Sequence, residues 1–274
     1  MEMIDYSTSL SILEALLLGI IQGLTEFLPV SSSGHLELAQ ALMGNGGLNH
    51  QNLIFTIVVH AATALATLVV FKDDVFEILR GLLKFKNNEA TRFSLLIIIS
   101  MIPAVGVGLF FEETISQFFF GNTFLVGFML WVTAGLLFVA DRPFSNHRPI
   151  NPKTAALVGI AQALAILPGI SRSGATIACS LLLKVDRPKA ARFSFLMVVP
   201  LILGSMAKTI LNGDLTQTQN QMELLPYIAG FVAAFVSGYL ACTWMIALVK
   251  RSKLKYFAYY CAFVGTLALI AHWL

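Results

Sequence analysis

Three ionisable side chains stand at Ser-rich turns in a sequence that is otherwise strongly apolar. Glu26 and His35 flank the turn at 29–34, and Arg172 lies inside the turn at 168–174. A guanidinium is a permanently charged, forked donor that matches the geometry of a phosphate group. These residue types therefore predict a site for a phosphate-containing anion.

The two turns belong to segments that repeat one pattern 140 residues apart. Residues 19–34 and 159–174 share Gly, Ile, Gln, Leu, Ser, Ser and Gly at seven of sixteen positions without a gap. Each copy is an apolar helical run that stops at Pro and Gly, turns, and restarts as a second apolar run. A restarted helix leaves unpartnered N–H groups at the positive end of its dipole. Two such ends that converge from opposite sides would form a phosphate socket.

The turn hydroxyls are predicted to line this socket together with Arg172. The candidate phosphate-binding residues are Ser31, Ser33, Ser171, Arg172, Ser173, Gly174 and Thr176. The alternative is close helix packing for the small residues and a purely structural ion pair between Glu26 and Arg172. An ionisable group at mid-membrane costs about 2.5 kcal/mol or more, which favours the functional interpretation. His60, on an apolar helix, is interpreted as an interior histidine and not as a ligand.

Composition indicates an integral membrane protein. Hydrophobic residues make up 57% of the chain and charged residues 12%, with a mean hydropathy of +0.79. A soluble domain carries roughly 25% charged residues. Apolar runs of about 20 residues favour spanning helices over a barrel. No basic run with interleaved aromatic residues suggests a nucleic-acid partner.

Six apolar runs are long enough to span a bilayer. They lie at about 52–71, 93–111, 123–140, 193–211, 224–249 and 256–273. The repeated segments, about 10–43 and 154–185, are interrupted midway, and each half is too short to cross alone. We interpret them as re-entrant hairpins that return to the side from which they came.

The distribution of Lys and Arg predicts the orientation. The loops at 72–92, 141–153, 184–192 and 250–255 are basic, whereas 112–122 and 212–223 contain no Lys or Arg. By the positive-inside rule the basic loops are cytoplasmic, so the first hairpin enters from outside and the second from the cytoplasm. The predicted fold is an all-α integral membrane protein with six spanning helices and two re-entrant helical hairpins in an inverted-topology repeat. One membrane domain, 1–274, would contain repeat 1 at about 10–140 and repeat 2 at about 154–274.

The residues from Gln22 to His35 and from Pro168 to Thr176 closely resemble the two signature motifs of the bacterial undecaprenyl-diphosphatase, or bacitracin-resistance, family. The resemblance covers nearly the whole chain. The first family motif usually begins with Glu or Gln, and here the position is Gln22, so Glu26 must carry the charge. Many relatives have an acidic residue where Arg192 stands, and we do not assign Arg192 to the site.

This resemblance implies an enzyme that hydrolyses undecaprenyl diphosphate to the monophosphate and inorganic phosphate, recycling the lipid carrier of peptidoglycan synthesis. It implies a multi-pass protein of the bacterial plasma (inner) membrane with a site that opens to the periplasmic or external side. Its partners would be the polyprenyl diphosphate and membrane lipids. The oligomeric state stays open, a homodimer included.

The family is dependent on a divalent cation, and the resemblance implies Mg²⁺ or Ca²⁺ held by Glu26 with Gln22. Ser32 is the expected nucleophile, with His35 as proton carrier, and Arg172 completes the catalytic set. Attack by water or by His35 itself is the alternative chemistry. The alternative function is transport or flipping of an anionic lipid or small anion, because inverted repeats with broken helices are typical of transporters.

Overall fold

The computed structural model describes residues 10–44, 50–84, 86, 88–119, 121–142, 148–211, 224–250 and 253–272. Within those ranges the secondary structure is helical, apart from an isolated bridge between Arg148 and Val185. The helices are α1 (Ile12–Phe27), α2 (Ser32–Leu42), α3 (His50–Val70), α4 (Lys72–Leu82), α5 (Glu89–Phe110), α6 (Glu112–Phe119), α7 (Thr123–Ala140), α8 (Pro152–Leu164), α9 (Arg172–Leu182), α10 (Arg187–Leu211), α11 (Leu224–Lys250) and α12 (Leu254–Ala271).

Five of these helices are long and apolar enough to cross a membrane, and they coincide with five of the six predicted spans. They are Glu89–Phe110, Thr123–Ala140, Arg187–Lys208, Leu224–Val249 and Leu254–Ala271. The predicted span at 52–71 corresponds to α3, which meets the same test only together with α4 across a bend of 79°. The chain is therefore an all-helical, multi-pass membrane protein. The loop predicted at 212–223 lies outside the described residues.

Two short helices occupy stretches that the sequence analysis treated as loops. α4 lies within 72–92 and α6 within 112–122. α4 carries Asp73 and Asp74 in its first turn and Arg80 in its last turn, which suits the helix dipole. Two of its large apolar side chains, Phe76 and Leu79, are about half exposed. A helix that mixes charged and apolar residues in this way contains no long apolar run, so hydropathy does not predict it as a membrane span.

The two repeated segments pack on equivalent partners. α1 lies against α11, and α8 lies against α5. At the first contact a Cβ on Gly19 would lie 2.4 Å from the Gly230 carbonyl oxygen, and at the second a Cβ on Gly159 would lie 2.4 Å from the Ser100 carbonyl oxygen. Only a residue without a side chain permits either approach. The glycine that both copies share thus permits close packing of α1 on α11 and of α8 on α5.

The turns of the two segments meet each other. A Cβ placed on Gly34 would lie 3.0 Å from the Gly169 Cα, and one placed on Gly174 would lie 3.3 Å from the Pro29 Cβ. The Ser173 hydroxyl also donates to the Leu28 carbonyl at 3.3 Å. Residues that are about 140 positions apart are therefore brought into contact where α1 passes to α2 and α8 passes to α9.

The two ends of each segment also lie together. The Arg148 N–H donates to the Lys184 carbonyl at 3.0 Å, which joins the chain before α8 to the chain after α9. Leu10 and Met43, at the two ends of the first segment, belong to one apolar cluster with Tyr227. Val185, at the end of the second segment, shares a different cluster with Val249. Tyr227 and Val249 lie at opposite ends of α11, which runs from Leu224 to Lys250. The ends of the first segment and the end of the second segment therefore lie near opposite ends of this helix.

Candidate active site

Glu26 is the centre of the polar contacts at the meeting point of the two turns. It is 7% exposed, and Gln22, one helical turn earlier on α1, is fully buried. Glu26 Oε2 accepts hydrogen bonds from Ser32 Oγ at 2.6 Å and from Gln22 Nε2 at 3.1 Å. Because α1 ends at Phe27 and α2 begins at Ser32, the break in the helix returns the Ser32 hydroxyl to the Glu26 carboxylate.

Arg172 supplies the opposite charge from the second repeat. Its Nη2 donates to Glu26 Oε1 at 2.5 Å, and its Nη1 donates to the Ser194 carbonyl at 3.1 Å. The side chain is 14% exposed. These contacts, among the described residues, use two of its five N–H groups, so a phosphate oxygen can be bound by the others. The ion pair that the sequence offered as a structural alternative is present, and it joins the predicted catalytic carboxylate to the predicted phosphate ligand.

The turn serines hold the helix starts. Ser31 Oγ accepts from the Gly34 N–H at 3.3 Å, and Ser171 Oγ accepts from the Gly174 N–H at 3.0 Å, so the two caps are equivalent. Ser33 and Ser173 lie beside these caps, with Oγ–Oγ distances of 3.4 and 3.3 Å. N-capping is the expected role of a serine at this position. The predicted phosphate-binding serines thus lie at the turn between α1 and α2 and at the turn between α8 and α9, which we call the first and second tips. There they already have partners within the protein.

The backbone of the two caps differs. Ser31 has a φ of 72°, in the left-handed region, whereas Ser171 has a φ of −72°. A side chain in the left-handed region costs of order 1–2 kcal/mol. Such strain is concentrated at functional sites, where the surrounding structure maintains it. Here it lies directly before Ser32, the predicted nucleophile.

Thr176 and two residues that the sequence analysis did not identify secure the second tip. Thr176 Oγ1 lies 2.5 Å from Ser194 Oγ and donates to the Arg172 carbonyl at 2.9 Å. Thr133, on α7, donates to the Gly169 carbonyl at 2.9 Å and accepts from the Ser171 N–H at 3.0 Å. Gly169 has a φ of 95°, which a residue with a side chain rarely adopts. Thr133 and Ser194 come from helices outside the two turn motifs, and only Ser194 carries a sequence signal, the Arg-Phe-Ser that recurs at 92–94 and 192–194.

The ring nitrogens of His35 are hydrogen-bonded to groups other than the Ser32 hydroxyl. Its Nδ1 donates to the Ser31 carbonyl at 2.8 Å, and its Nε2 lies 2.9 Å from the Tyr260 hydroxyl. The ring also stacks on the Tyr260 ring, with centroids 5.5 Å apart. Since a carbonyl only accepts, the proton is on Nδ1, and Nε2 accepts from Tyr260. The role of His35 as a proton carrier stays a prediction, because its ring nitrogens have other partners here.

His60 lies beside the carboxylate, which the sequence analysis did not expect. Its Nε2 is 3.8 Å from Glu26 Oε2, and its Nδ1 donates to the Thr56 carbonyl at 2.7 Å. The signal that would have identified it is an ionisable side chain in the middle of an apolar helix, the criterion that already singled out Glu26 and Arg172.

The donor set at Glu26 fits a hard cation in part. Within the described residues no three His, Cys, Asp or Glu side chains are grouped as a metal site. Gln22 Oε1, however, is buried with no hydrogen-bond partner among those residues. An amide oxygen, a carboxylate oxygen and a hydroxyl are the ligands that Mg²⁺ and Ca²⁺ prefer. Glu26, Gln22 and Ser32 can therefore supply part of a coordination shell, which waters and phosphate oxygens would have to complete.

Arg192 lies outside this cluster of contacts. Its Nε is 2.6 Å from Asp74 Oδ1, and its guanidinium lies 5.1 Å from the centre of the Phe93 ring. A nearby groove of about 640 Å³ between α4 and α5 is lined by Asp73, Glu77 and Arg80 among others, and by none of the predicted site residues. The predicted site residues are therefore separate from this groove.

Comparison with known proteins gives matches along nearly the whole chain. The family described as Bacitracin resistance protein BacA matches residues 15–267. A protein of Christiangramia forsetii named Undecaprenyl-diphosphatase is 58% identical over 261 residues, which cover 95% of this chain and 98% of the relative. A protein of the same name from Bacteroides fragilis is 49% identical over 264 residues, covering 94% and 97%. One from Halothermothrix orenii is 40% identical over 269 residues, covering 95% and 98%.

Proposed function

This chain belongs to the Bacitracin resistance protein BacA family and is a membrane-bound hydrolase, and from that premise we propose that it removes the terminal phosphate of undecaprenyl diphosphate. The products are undecaprenyl phosphate and inorganic phosphate. The observation that carries the proposal is the Glu26–Arg172 pair with Ser32 on the same carboxylate. A phosphate ligand, a nucleophile and a proton acceptor are thereby brought together.

The reaction begins with binding of the diphosphate by Arg172. Its unoccupied N–H groups and the amides at the start of α2 and α9 neutralise the phosphate charge. Ser32 Oγ attacks the terminal phosphorus and transfers its proton to Glu26 Oε2, which already accepts that hydrogen. The bond from phosphorus to the bridging oxygen breaks, and undecaprenyl phosphate departs with that oxygen.

Hydrolysis of the phosphoserine completes the cycle. Water attacks the phosphorus and gives a proton to His35, the bond to Ser32 Oγ breaks while Glu26 returns its proton to that oxygen, and inorganic phosphate is released. His35 is the proposed proton carrier of this step, for which its Nε2 must leave Tyr260. A divalent cation at Gln22 and Glu26 would supply further charge neutralisation for the phosphates. In the alternative, water attacks the diphosphate directly and Ser32 orients it.

Release of inorganic phosphate by the purified full chain in detergent is the first test. We expect hydrolysis without any gradient, and a radiolabelled β-phosphate should be trapped on Ser32 in the wild type. Ser32→Ala should abolish both, whereas Ser33→Ala should retain the label, since the Ser33 hydroxyl contacts Ser31 and not Glu26. A label on neither Ser32 nor His35 would exclude the covalent route. Lipid movement across vesicles without phosphate release would support the transport alternative.

We also propose the inverted arrangement of two re-entrant hairpins. The joined ends of each segment, the meeting tips and the equivalent α1–α11 and α5–α8 contacts support it. The absence of Lys and Arg from 112–122 and 212–223 supports an external side for the first hairpin, and therefore a site reached from outside.

Cysteine accessibility in a background without Cys179, Cys242 and Cys261 tests this topology. Gln117→Cys, exposed on α6, should react with an impermeant thiol reagent added to intact cells. Exposed positions in the first turn of α8 and after α9, changed as Lys153→Cys and Lys184→Cys, should both react only after permeabilisation. If these two positions reacted from opposite sides, the second hairpin would be a full span and the inverted repeat would be wrong.

A further inference from the structure

The tautomers of the two histidines near the tips are fixed by main-chain carbonyls. Both His35 and His60 use Nδ1 to donate to the carbonyl of the residue four positions earlier, at 2.8 and 2.7 Å. In each neutral ring Nε2 therefore carries a lone pair. The Nε2 of His35 accepts from Tyr260, whereas the Nε2 of His60 faces Glu26 Oε2 at 3.8 Å.

The contact between His60 and Glu26 is not a hydrogen bond. A charged N–H donor would lie about 2.7–2.9 Å from a carboxylate oxygen, and 3.8 Å is too long for this. Two ligands that share one cation, each about 2.0–2.4 Å away, are separated by distances of this order. The lone pair of His60 and the carboxylate therefore face a common space that suits a positive ion.

A third donor at the same place has no partner. Gln22 Oε1 is buried and unpartnered among the described residues, while its Nε2 donates to the same Glu26 Oε2. Burying an amide oxygen without a partner is unfavourable, because the oxygen loses its hydrogen bonds to water. In the structure the amide donates to the carboxylate, and its oxygen has no partner among the described residues. With a cation between Gln22, Glu26 and His60, the amide can turn over and all three groups are satisfied.

We infer that His60 Nε2 is a direct ligand of the divalent cation, beside Glu26 and Gln22. The inference rests on the proposed function, from which the cation follows. One imidazole, one carboxylate and one amide oxygen leave positions for water and for phosphate oxygens of the substrate. An imidazole ligand favours Mn²⁺ and other transition-metal ions over Ca²⁺. With His60 as a ligand, a site that otherwise has only oxygen donors would prefer ions that accept a nitrogen ligand, such as Mn²⁺, over Ca²⁺.

Electron spin-echo spectroscopy of Mn²⁺ bound to the purified full chain in detergent tests the inference. The wild type should show modulation from one coordinated imidazole nitrogen, and ¹⁵N-histidine labelling should change its frequency in the expected way. His60→Gln should lose this signal and bind Mn²⁺ at least tenfold more weakly, with a smaller loss for Ca²⁺. His35→Gln is the matched control and should keep the nitrogen signal, because its Nε2 is bonded to Tyr260.

Several outcomes would overturn the assignment. Bound Mn²⁺ without imidazole modulation in the wild type would do so, and so would a signal that persists in His60→Gln. The isotope experiment needs no variant, so a failure of His60→Gln to fold leaves the test intact. Phosphate release by the same wild-type preparation is measured separately. Hydrolysis without a nitrogen signal would reject the His60 ligand and retain the proposed function, whereas no hydrolysis with any metal would reject the function itself.

Discussion

Replacing Arg172 by Lys separates a chemical role of the Glu26–Arg172 pair from a structural one. The substitution keeps the positive charge but removes the planar fork. In the structure two different nitrogens of the guanidinium reach Glu26 Oε1 at 2.5 Å and the Ser194 carbonyl at 3.1 Å. A single ammonium at the end of a flexible chain cannot hold both partners and present a forked donor pair to a phosphate.

The expected effects on stability and on activity differ in size. Loss of one hydrogen bond from a charged group lowers the free energy of unfolding by about 1.5–3 kcal/mol. Loss of a positioned donor to the charge that develops on the phosphate lowers kcat by roughly 10²–10³-fold, equivalent to about 2.7–4 kcal/mol. Arg192→Lys is the matched control, because Arg192 pairs with Asp74 away from the tips. We expect it to stay within about threefold of the wild type.

The assay is phosphate release from undecaprenyl diphosphate in detergent, with kcat and KM determined separately and thermal unfolding measured on the same samples. Arg172→Lys should be folded at the assay temperature and nearly inactive. Activity within a few-fold of the wild type would refute the reasoning. In that case Arg172 would be only a structural counter-ion for Glu26, and the phosphate would have to be bound by the helix amides alone.

Three further predictions concern the carboxylate, the caps and a buried amide. Glu26→Gln should abolish phosphate release and weaken the response to added divalent cation, since Gln22 cannot replace the lost charge; unchanged metal dependence would move the ion elsewhere. Ser31→Gly should raise the free energy of unfolding by roughly 0.5–1 kcal/mol, because the relief of backbone strain at a φ of 72° exceeds the loss of the cap hydrogen bond. Ser171→Gly loses the same kind of cap without any such strain, so it should lower the free energy of unfolding by a similar amount. Gln162→Leu should raise the free energy of unfolding by about 1 kcal/mol or more, because neither amide atom of this buried residue has a partner among the described residues. A decrease in that free energy would indicate a bound water as the partner.

The sequence predicted those features that depend on local pattern. Apolar runs of spanning length locate α5, α7, α10, α11 and α12, and the Pro and Gly residues locate both breaks. α5 begins at Glu89, earlier than the predicted apolar run, because Asn88 caps a first turn whose polar residues hydropathy does not count as part of a span. The amphipathic α4 was missed for a related reason, since half of its surface is charged.

The sequence could not predict which distant helices complete the site. Glu26 and Arg172 were identified because charges are rare in apolar runs, and their ion pair was the structural alternative to a functional role. Ser194 binds Arg172 through its main-chain carbonyl, which any residue type possesses, so no sequence signal marks this contact. His60 carried a signal, but only the packing of α3 beside the first tip distinguishes a ligand from an interior histidine. These contacts arise from the arrangement of helices and not from periodicity.

The internal repeat separates the residues that build the tips from those that perform the chemistry. The capping serines and the close-packed glycines are identical in both copies and make equivalent contacts. At the 140-residue offset, Ser32 corresponds to Arg172, and Glu26 corresponds to Ile166. The proposed nucleophile and the proposed phosphate ligand therefore occupy the same position in the two turns, and both contact the Glu26 carboxylate. This arrangement needs both copies, because the first segment alone would hold a carboxylate without its arginine, and the second a buried arginine without its counter-charge.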